Sequence, residues 1–464
     1  MPSWRLYPLF ASFVIGCATA PAPPAVAPAA VLPELILTEW SSDGQRILGV
    51  QRRGLSCSLV EREAGGSGES VRELGFCPEA MRVVRDGSLL LKSEGASYLL
   101  TAAGERSEGV ADALDSTRLL RLAGGELSWP DGKKSAFPAG ARGFRLLPDG
   151  SRAAAIARDL EGERLVLLDS AGGVATLAGP FSAIDSFDLS PDGEEAVLSA
   201  RRENGFDIAL VATAGSEVNW VGPDQLDEKM VTWAPRGSKI TYRIDAPMGS
   251  VLRSVHVPTG FQKSFSWPGV AVRSLSWQPA AEEFVVLAES PSLPPHARVA
   301  DYAGEGWSPM FAERSSEISG EAEASAVLPH TWTWAPGDLR YGERVPLVVW
   351  LEEGRLWGWN GRRAGLQQNL RIGTAVLARG TDQPGWLATL LSELRWADPT
   401  RVFVVTGETS RMAPGGVENA VILMRPGAER PDWAMEQVEL KSEDPELEAA
   451  GWLTRRLQEV NTNE

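Results

Sequence analysis

The sequence predicts a mainly β chain: a seven-bladed β-propeller, with six blades as the alternative, followed by a small α/β domain. Three observations predict it. A short turn phrase returns at a near-constant interval, short apolar runs lie between those turns, and the pattern changes beyond residue 330. The phrase reads Trp40-Ser-Ser-Asp-Gly44, Val84-Arg-Asp-Gly87, Leu147-Pro-Asp-Gly150, Ser190-Pro-Asp-Gly193, Ala234-Pro-Arg-Gly237 and Gln278-Pro279-Ala280. Gly44 and Gly87 are 43 residues apart, Gly150 and Gly193 are 43, and Gly193 and Gly237 are 44. A period in the low forties is the length of one four-stranded propeller blade. Beyond residue 330, apolar strand-like runs surround one stretch of helical spacing, Leu387 to Leu394.

In chain order, the first seventeen residues read as a targeting segment. Arg5 is the basic start, Leu6 to Gly16 are mostly apolar, and the run is too short to span a bilayer comfortably. It ends Val14-Ile15-Gly16-Cys17, which resembles a bacterial lipobox. That resemblance implies cleavage before Cys17, lipid attachment to its thiol, and a lipid-anchored place in the bacterial cell envelope, at the outer membrane. Residues 18–33 are almost entirely Ala, Pro and Val, and their prolines cannot sustain a helix. They read as a semi-extended tether.

Residues 34–330 carry the blades. The clearest is Phe187-Asp-Leu-Ser, Pro191-Asp-Gly193, Glu195 to Ala200, Asn204-Gly205 and Asp207 to Ala212. Apolar runs separated by Asp-Gly and Asn-Gly are the hairpin signature. Phe144 to Leu168 repeats it, and the runs around Val231-Thr-Trp233 and Leu275-Ser-Trp277 continue it. Gly87 to Gly150 spans 63 residues, too long for one blade and short for two. A shortened blade between Thr117 and Pro138 makes the count seven. The Asp and Gly residues of the phrase have a local reason to be there, since they close a tight turn.

Composition excludes some function classes. The net charge is −16, and Arg52-Arg53, Arg201-Arg202 and Arg362-Arg363 are pairs rather than a basic patch, so nucleic acid is not an expected partner. No Cys/His group has metal-ligand spacing, and Gly124-Gly125 and Gly172-Gly173 read as turns rather than phosphate loops. No cofactor or metal is expected. With Cys17 lipidated, Cys57 and Cys77 remain, either side of the turn-rich stretch Ala64 to Ser70. A hairpin centred near residue 67 sets them opposite each other and predicts a disulfide, the alternative being two separately buried thiols. Among the seventeen tryptophans, Trp233 and Trp277 read as packing between blades. Trp332, Trp334, Trp350, Trp357 and Trp359 read as an interdomain seam.

Leu-Ser-Pro-Asp-Gly resembles the repeat of TolB-type propellers, and of the propeller that precedes the hydrolase domain of prolyl oligopeptidase-family enzymes. Residues 331–464 extend the second resemblance. Arg344 to Gly354 is similar to an entry strand of that α/β-hydrolase domain, Arg379-Gly-Thr381 to its Arg-Gly-Ser, and Asp398-Pro-Thr-Arg-Val-Phe-Val-Val405 to the strand leading to the nucleophile elbow. The elbow itself reads Thr406-Gly407-Glu408-Thr409-Ser410-Arg411, with Glu408 or Thr409 in the nucleophile's place according to alignment. Neither sits in Gly-X-Ser-X-Gly. The oxyanion turn reads Glu352-Glu353-Gly354, and carboxylates oppose a developing negative charge. The adjacent pair also faces opposite sides of a strand, so it is not an acid/base pair. His256, His296 and His330 all precede the tail, whereas this family's histidine follows the elbow. After the elbow, one strand, Asn419 to Met424, and one amphipathic helix, Glu446 to Val460, are expected.

The expectation is therefore a truncated α/β tail that is not an enzyme, with Gly407, Glu408 and Thr409 as a vestigial elbow. The chain would bind or scaffold an envelope protein or peptide partner. Two alternatives stay open. One is an oligopeptidase-like hydrolase with Thr409 as nucleophile; the other is a sensor of a small ligand in the propeller funnel.

Overall fold

The computed structural model describes most of residues 34–301. Beyond them it describes 308–310, 323–325, 331–336, 339–352, 371–378, 385–406, 421–424, 436–439 and a few isolated positions. Among the described residues, the first 28 strands form seven four-stranded antiparallel sheets, each from strands consecutive in sequence. The first is β1 (Glu34–Trp40), β2 (Arg46–Arg53), β3 (Ser56–Glu63) and β4 (Glu69–Glu73). The second is β5 (Ala80–Val83), β6 (Leu89–Ser93), β7 (Ala96–Leu100) and β8 (Arg106–Glu108). The third is β9 (Ala113–Leu114), β10 (Arg121–Ala123), β11 (Glu126–Ser128) and β12 (Lys134–Ala136). The fourth is β13 (Arg142–Leu146), β14 (Arg152–Arg158), β15 (Glu163–Asp169) and β16 (Val174–Phe181). The fifth is β17 (Ile184–Leu189), β18 (Glu195–Arg201), β19 (Phe206–Ala212) and β20 (Val218–Trp220). The sixth is β21 (Asp227–Trp233), β22 (Lys239–Ala246), β23 (Gly249–His256) and β24 (Phe261–Ser266). The seventh is β25 (Ala271–Trp277), β26 (Glu283–Ser290), β27 (Leu293–Asp301) and β28 (Ser308–Met310).

The expectation of seven blades is corrected to six full blades and one rudiment. The third sheet has strands of only two or three residues. Its Asp-Gly turn, Asp131-Gly132, lies between the third and fourth strands rather than the first and second. Strands this short cannot bury two faces. The sheet leans on the fourth through Leu127 and Trp129, which pack with Phe144, Ala153 and Val166.

The repeat aspartates have one local job. The carboxylates of Asp43, Asp86, Asp149 and Asp192 accept the backbone N–H two residues on, at 2.9–3.0 Å, which folds each turn. Hydroxyl donation from Ser41 and Ser190 holds the Asp43 and Asp192 carboxyls below the usual carboxylate range.

Apolar side chains on the sheet faces bury against neighbouring sheets at most of the joints. Leu48 and Leu59 pack with Leu89 and Leu91, and Ile156 and Leu165 with Phe187 and Leu198. Trp233 and Trp277 are buried in the clusters flanking the sixth sheet. The ring closes by packing, because β1 pairs only with β2 and β28 only with β27 among the described strands. Leu35, Trp40 and Ile47 meet Val285, Leu287 and Ala297 across that joint. Gln278 Nε2 donates to the Gly44 carbonyl across the same joint at 2.6 Å.

The remaining strands form one seven-stranded mixed sheet: β29 (Glu323–Ala324), β30 (Thr331–Trp334), β31 (Val345–Glu352), β32 (Gly373–Ala378), β33 (Ala397–Thr406), β34 (Val421–Met424) and β35 (Glu436–Glu439). Their order is β29-β30-β32-β31-β33-β34-β35, parallel from β32 to β35. Val345 and Leu347 to Trp350 are all buried, as a parallel strand covered on both faces requires. Helix α1 (Trp386–Glu393) sets Trp386, Leu387 and Leu390 against Leu347, Val349 and Val404. The sheet draws in Glu323–Ala324, which precede residue 331. Trp332, Trp334 and Trp350 are buried on β30 and β31 of this sheet. β35 was not expected: Glu436-Gln-Val-Glu439 has one apolar residue in four and gives no periodic signal. The expected helix 446–460 lies largely outside the described residues. Within it, Leu453 is buried and Trp452 meets Phe403 edge-on.

Candidate functional site

Two places in the fold gather the residues that could carry function. The first is the middle of the mixed sheet. From β31 the chain steps to β32 on one side, then returns across β31 to β33 on the other. Open parallel sheets bind ligands beyond the carboxyl ends of their strands where the order reverses in this way. β31 ends at Glu352 and β33 at Thr406, with Leu351 opposite Thr406 in the register. The two segments singled out in the sequence, after Glu352 and after Thr406, thus leave neighbouring parallel strands at the same end. Gly407, Glu408 and Thr409 themselves, with Glu353, Gly354 and Arg379-Gly-Thr381, lie outside the described residues, as do Cys17, His330, Trp357 and Trp359. The Asp398-Pro-Thr-Arg401 motif opens β33. The Asp398 carboxylate accepts the Thr400 N–H at 2.9 Å and the Arg401 Nε–H at 2.7 Å, which fixes the strand's entry.

The second place is the propeller axis. First strands of neighbouring blades touch, β1 with β5 and β25, and β21 with β17 and β25. Five residues before the turn glycine stand Glu39, Arg82, Arg145, Asp188 and Thr232. Ser276 holds the same place in the phrase that ends in Pro279-Ala280. These side chains knit the ring together. Asp188 accepts the Thr232 hydroxyl and the Trp233 N–H, each at 3.0 Å, and Arg145 Nε lies 3.5 Å from it. Ser276 donates to Glu39 at 2.6 Å. Burial pushes the Glu39 carboxyl up, opposed by Ser276, Arg82 and Arg145. Two carboxylates, two guanidiniums and two hydroxyls therefore meet at one level of the fold. Sequence reasoning missed this set, although the fixed offset from the turn would have found it.

The Glu39 shift has a testable sign. A carboxyl whose folded pKa lies above its unfolded value costs stability as pH rises from the unfolded value through the folded one. Glu39→Gln keeps an acceptor for Ser276 and removes that cost. It is expected to raise the unfolding midpoint near pH 7 and to leave it unchanged below about pH 4. Thermal melts across that range check it, and a lowered midpoint at pH 7 contradicts it.

Cys57 and Cys77 are joined by a disulfide, with Cα atoms 5.0 Å apart. They are not hairpin partners. β3 pairs with β4 so that Ser58 faces Glu73, and the Leu74 N–H donates to the Cys57 carbonyl. Cys77 lies three residues beyond that partner, on the connection to β5, so the bridge ties the first blade to the lead-in of the second. Closing a separation of 20 residues stabilises by about 3 kcal/mol in the chain-entropy model. Cys77→Ser is expected to lower the unfolding free energy by about that amount in chemical denaturation. A change below about 1 kcal/mol contradicts it.

The described histidines serve the blades. The His256 Nδ1 and the Thr259 hydroxyl share a hydrogen bond of 2.8 Å, and Arg298 Nε donates to the buried His296 Nε2 at 2.7 Å. Among the described residues no group of three or more His, Cys, Asp or Glu is arranged to hold a metal.

No family model matches the chain, and no curated protein matches its sequence. Solved structures do resemble it. Pyrococcus horikoshii acylaminoacyl peptidase aligns with TM-score 0.59 at 11% identity, over 85% of this chain and 77% of that one. Puromycin hydrolase aligns with TM-score 0.59 at 17% identity, over 82% and 74%. A structure of prolyl endopeptidases aligns with TM-score 0.56 at 12% identity, over 82% and 68%. These matches correct the expectation that the chain is not an enzyme, because the proteins it resembles are peptidases and a hydrolase. The expectation rested on missing motif residues, and those speak to one mechanism only. A crevice set by strand order needs no particular motif. At these identities the likeness shows the fold alone.

Proposed function

We propose a peptide-directed function, with the peptide engaged beyond the carboxyl ends of β31 and β33. The observation that carries it is the reversal of strand order between those neighbours. The likeness in fold to peptidases supports it. The N-terminal sequence adds the place: an envelope chain tethered through lipid on Cys17, acting on or holding an envelope peptide or protein. A second reading, a small polar ligand in the axial channel, is favoured by the ring of Glu39, Arg82, Arg145 and Asp188.

The test titrates the purified protein with free and N-acetylated tri- to pentapeptides, and follows cleavage with the same peptides bearing a chromogenic leaving group. Saturable binding or turnover is expected, reduced at least roughly tenfold in the double variant Glu408→Ala, Thr409→Ala. Neither binding nor turnover across the set overturns the proposal. A response that survives the double variant but falls in Arg82→Gln favours the axial channel. The tether has its own test. Cys17→Ser is expected to move the protein from the membrane fraction to the soluble one. Unchanged membrane association and an unmodified mature N-terminus count against lipidation.

A further inference from the structure

The axial ring has an order of its own. Taken from the seventh blade round to the sixth, its members run Ser276, Glu39, Arg82, Arg145, Asp188 and Thr232. The chemistries run hydroxyl, carboxylate, guanidinium, guanidinium, carboxylate, hydroxyl, a palindrome centred between the arginines. The arginines flank the rudimentary third sheet. All six residues are half-buried, as groups lining a channel are, yet the surrounding protein still desolvates the Glu39 carboxyl. Each hydroxyl is given to its neighbouring carboxylate, Ser276 to Glu39 at 2.6 Å and Thr232 to Asp188 at 3.0 Å. Asp188 also accepts the Trp233 N–H at 3.0 Å and has Arg145 Nε at 3.5 Å. Both Arg82 and Arg145 act on the Glu39 carboxyl, so both guanidiniums stand within reach of one point on the axis. Arg145 gives one amino group, Nη1, to the Phe144 carbonyl at 3.2 Å. Its other, Nη2, makes no hydrogen bond among the described residues.

We propose that this ring binds a small carboxylate anion between Arg82 and Arg145, which names the ligand of the axial reading and rests on that reading. A guanidinium offers more N–H donors than one carboxylate takes up. An arginine backed on one edge by a carboxylate therefore still presents donors on another. The backing also fixes the fork before the ligand arrives, which lowers the ordering cost of binding. A cation fits poorly. It would face two guanidiniums, and Asp188 already accepts from Thr232 and Trp233 beside Arg145. Charge then selects a monoanion. The four charged members balance one another, so one added negative charge is matched when Glu39 takes one proton from solvent. The groups around Glu39 are Arg82 and Arg145, which oppose its shift, the Ser276 hydroxyl, and Asp188 further round the ring. An anion beside a carboxyl already raised by burial raises it further, so binding takes up a proton. A dianion would leave its second charge unmatched.

The test is calorimetric titration of the full chain with N-acetylglycine, its uncharged amide and inorganic phosphate, at about pH 5 and about pH 8. N-acetylglycine is expected to bind saturably, at least roughly tenfold more tightly than the amide or phosphate. It is expected to bind more tightly at the lower pH, with proton uptake read from two buffers of different ionisation enthalpy. Arg145→Lys keeps the charge and loses the fork, and is expected to weaken N-acetylglycine at least roughly tenfold. Glu39→Gln stands in for the protonated carboxyl. It is expected to keep binding and to abolish both the pH dependence and the proton uptake, and it decides the matter if the arginine variant fails to fold. No saturable binding of N-acetylglycine overturns the inference, as does tighter binding of phosphate, binding that ignores Arg145→Lys, or a pH dependence that survives Glu39→Gln. If N-acetylglycine and its amide bind alike while the peptide response still falls in Arg82→Gln, the axial reading stands and the anion inference fails.

Discussion

Trp386→Ala is expected to lower the stability of the mixed-sheet unit by about 3–5 kcal/mol, the usual cost of removing a buried tryptophan. Trp386 opens α1 and is 1% exposed. It shares one core cluster with Leu347 and Val349 of β31, Val402 and Val404 of β33, and Leu377 of β32. These are the strands whose carboxyl ends make the proposed crevice, so the same change should abolish the peptide response. Among the described residues the indole N–H finds no acceptor, so the contribution is argued from packing. Trp386→Phe keeps most of that packing and removes the unmet donor; it is expected to cost less than about 1.5 kcal/mol. Hydrogen exchange at the amides of β31 and β33 reads the unit directly, whereas a global melt would mix it with the propeller. Equal protection in the alanine variant and the parent sinks the argument.

What could be read from the sequence divides by range. Local chemistry was legible. Asp43, Asp149 and Asp192 each cap their own turn, and a two-residue interaction leaves its mark in the repeat itself. β31 was legible because a strand buried on both faces must be apolar throughout. Register was harder. The midpoint of Cys57 and Cys77 suggested facing partners, but the hairpin turns earlier and Cys57 meets Leu74. Residues 113–136 misled in another way. They carry a full Asp-Gly turn on strands too short for a full blade. The axial ring needs a nonlocal idea, that residues at one offset in every repeat converge on one axis. Only then do Glu39 and Arg145, 106 positions apart, become neighbours in charge. The crevice depends on the order of β31, β32 and β33, and no single strand's sequence states its neighbours.

Gly162→Ala is expected to cost about 3–5 kcal/mol, more than the same change at the turn glycine Gly150. Gly162 precedes β15 with φ of +141°, a backbone region nearly closed to L side chains. A Cβ there would overlap the Phe181 carbonyl oxygen and lie 3.1 Å from its carbonyl carbon. Those are backbone atoms at the end of β16, paired with Glu163 in the ladder, and they cannot swing aside. Strain of about 1–3 kcal/mol from φ then adds to a clash of similar size. Gly150 is the control. It closes the most conspicuous turn of the fourth blade with φ of +70°, and a Cβ there meets nothing within 4 Å. Gly150→Ala therefore costs only the left-handed conformation, about 1–2 kcal/mol. Denaturant unfolding of both variants beside the parent measures the difference. If Gly150→Ala proves the more damaging, the turn does more for the blade than its geometry implies, and the close approach of β15 to β16 at Phe181 is not rigid.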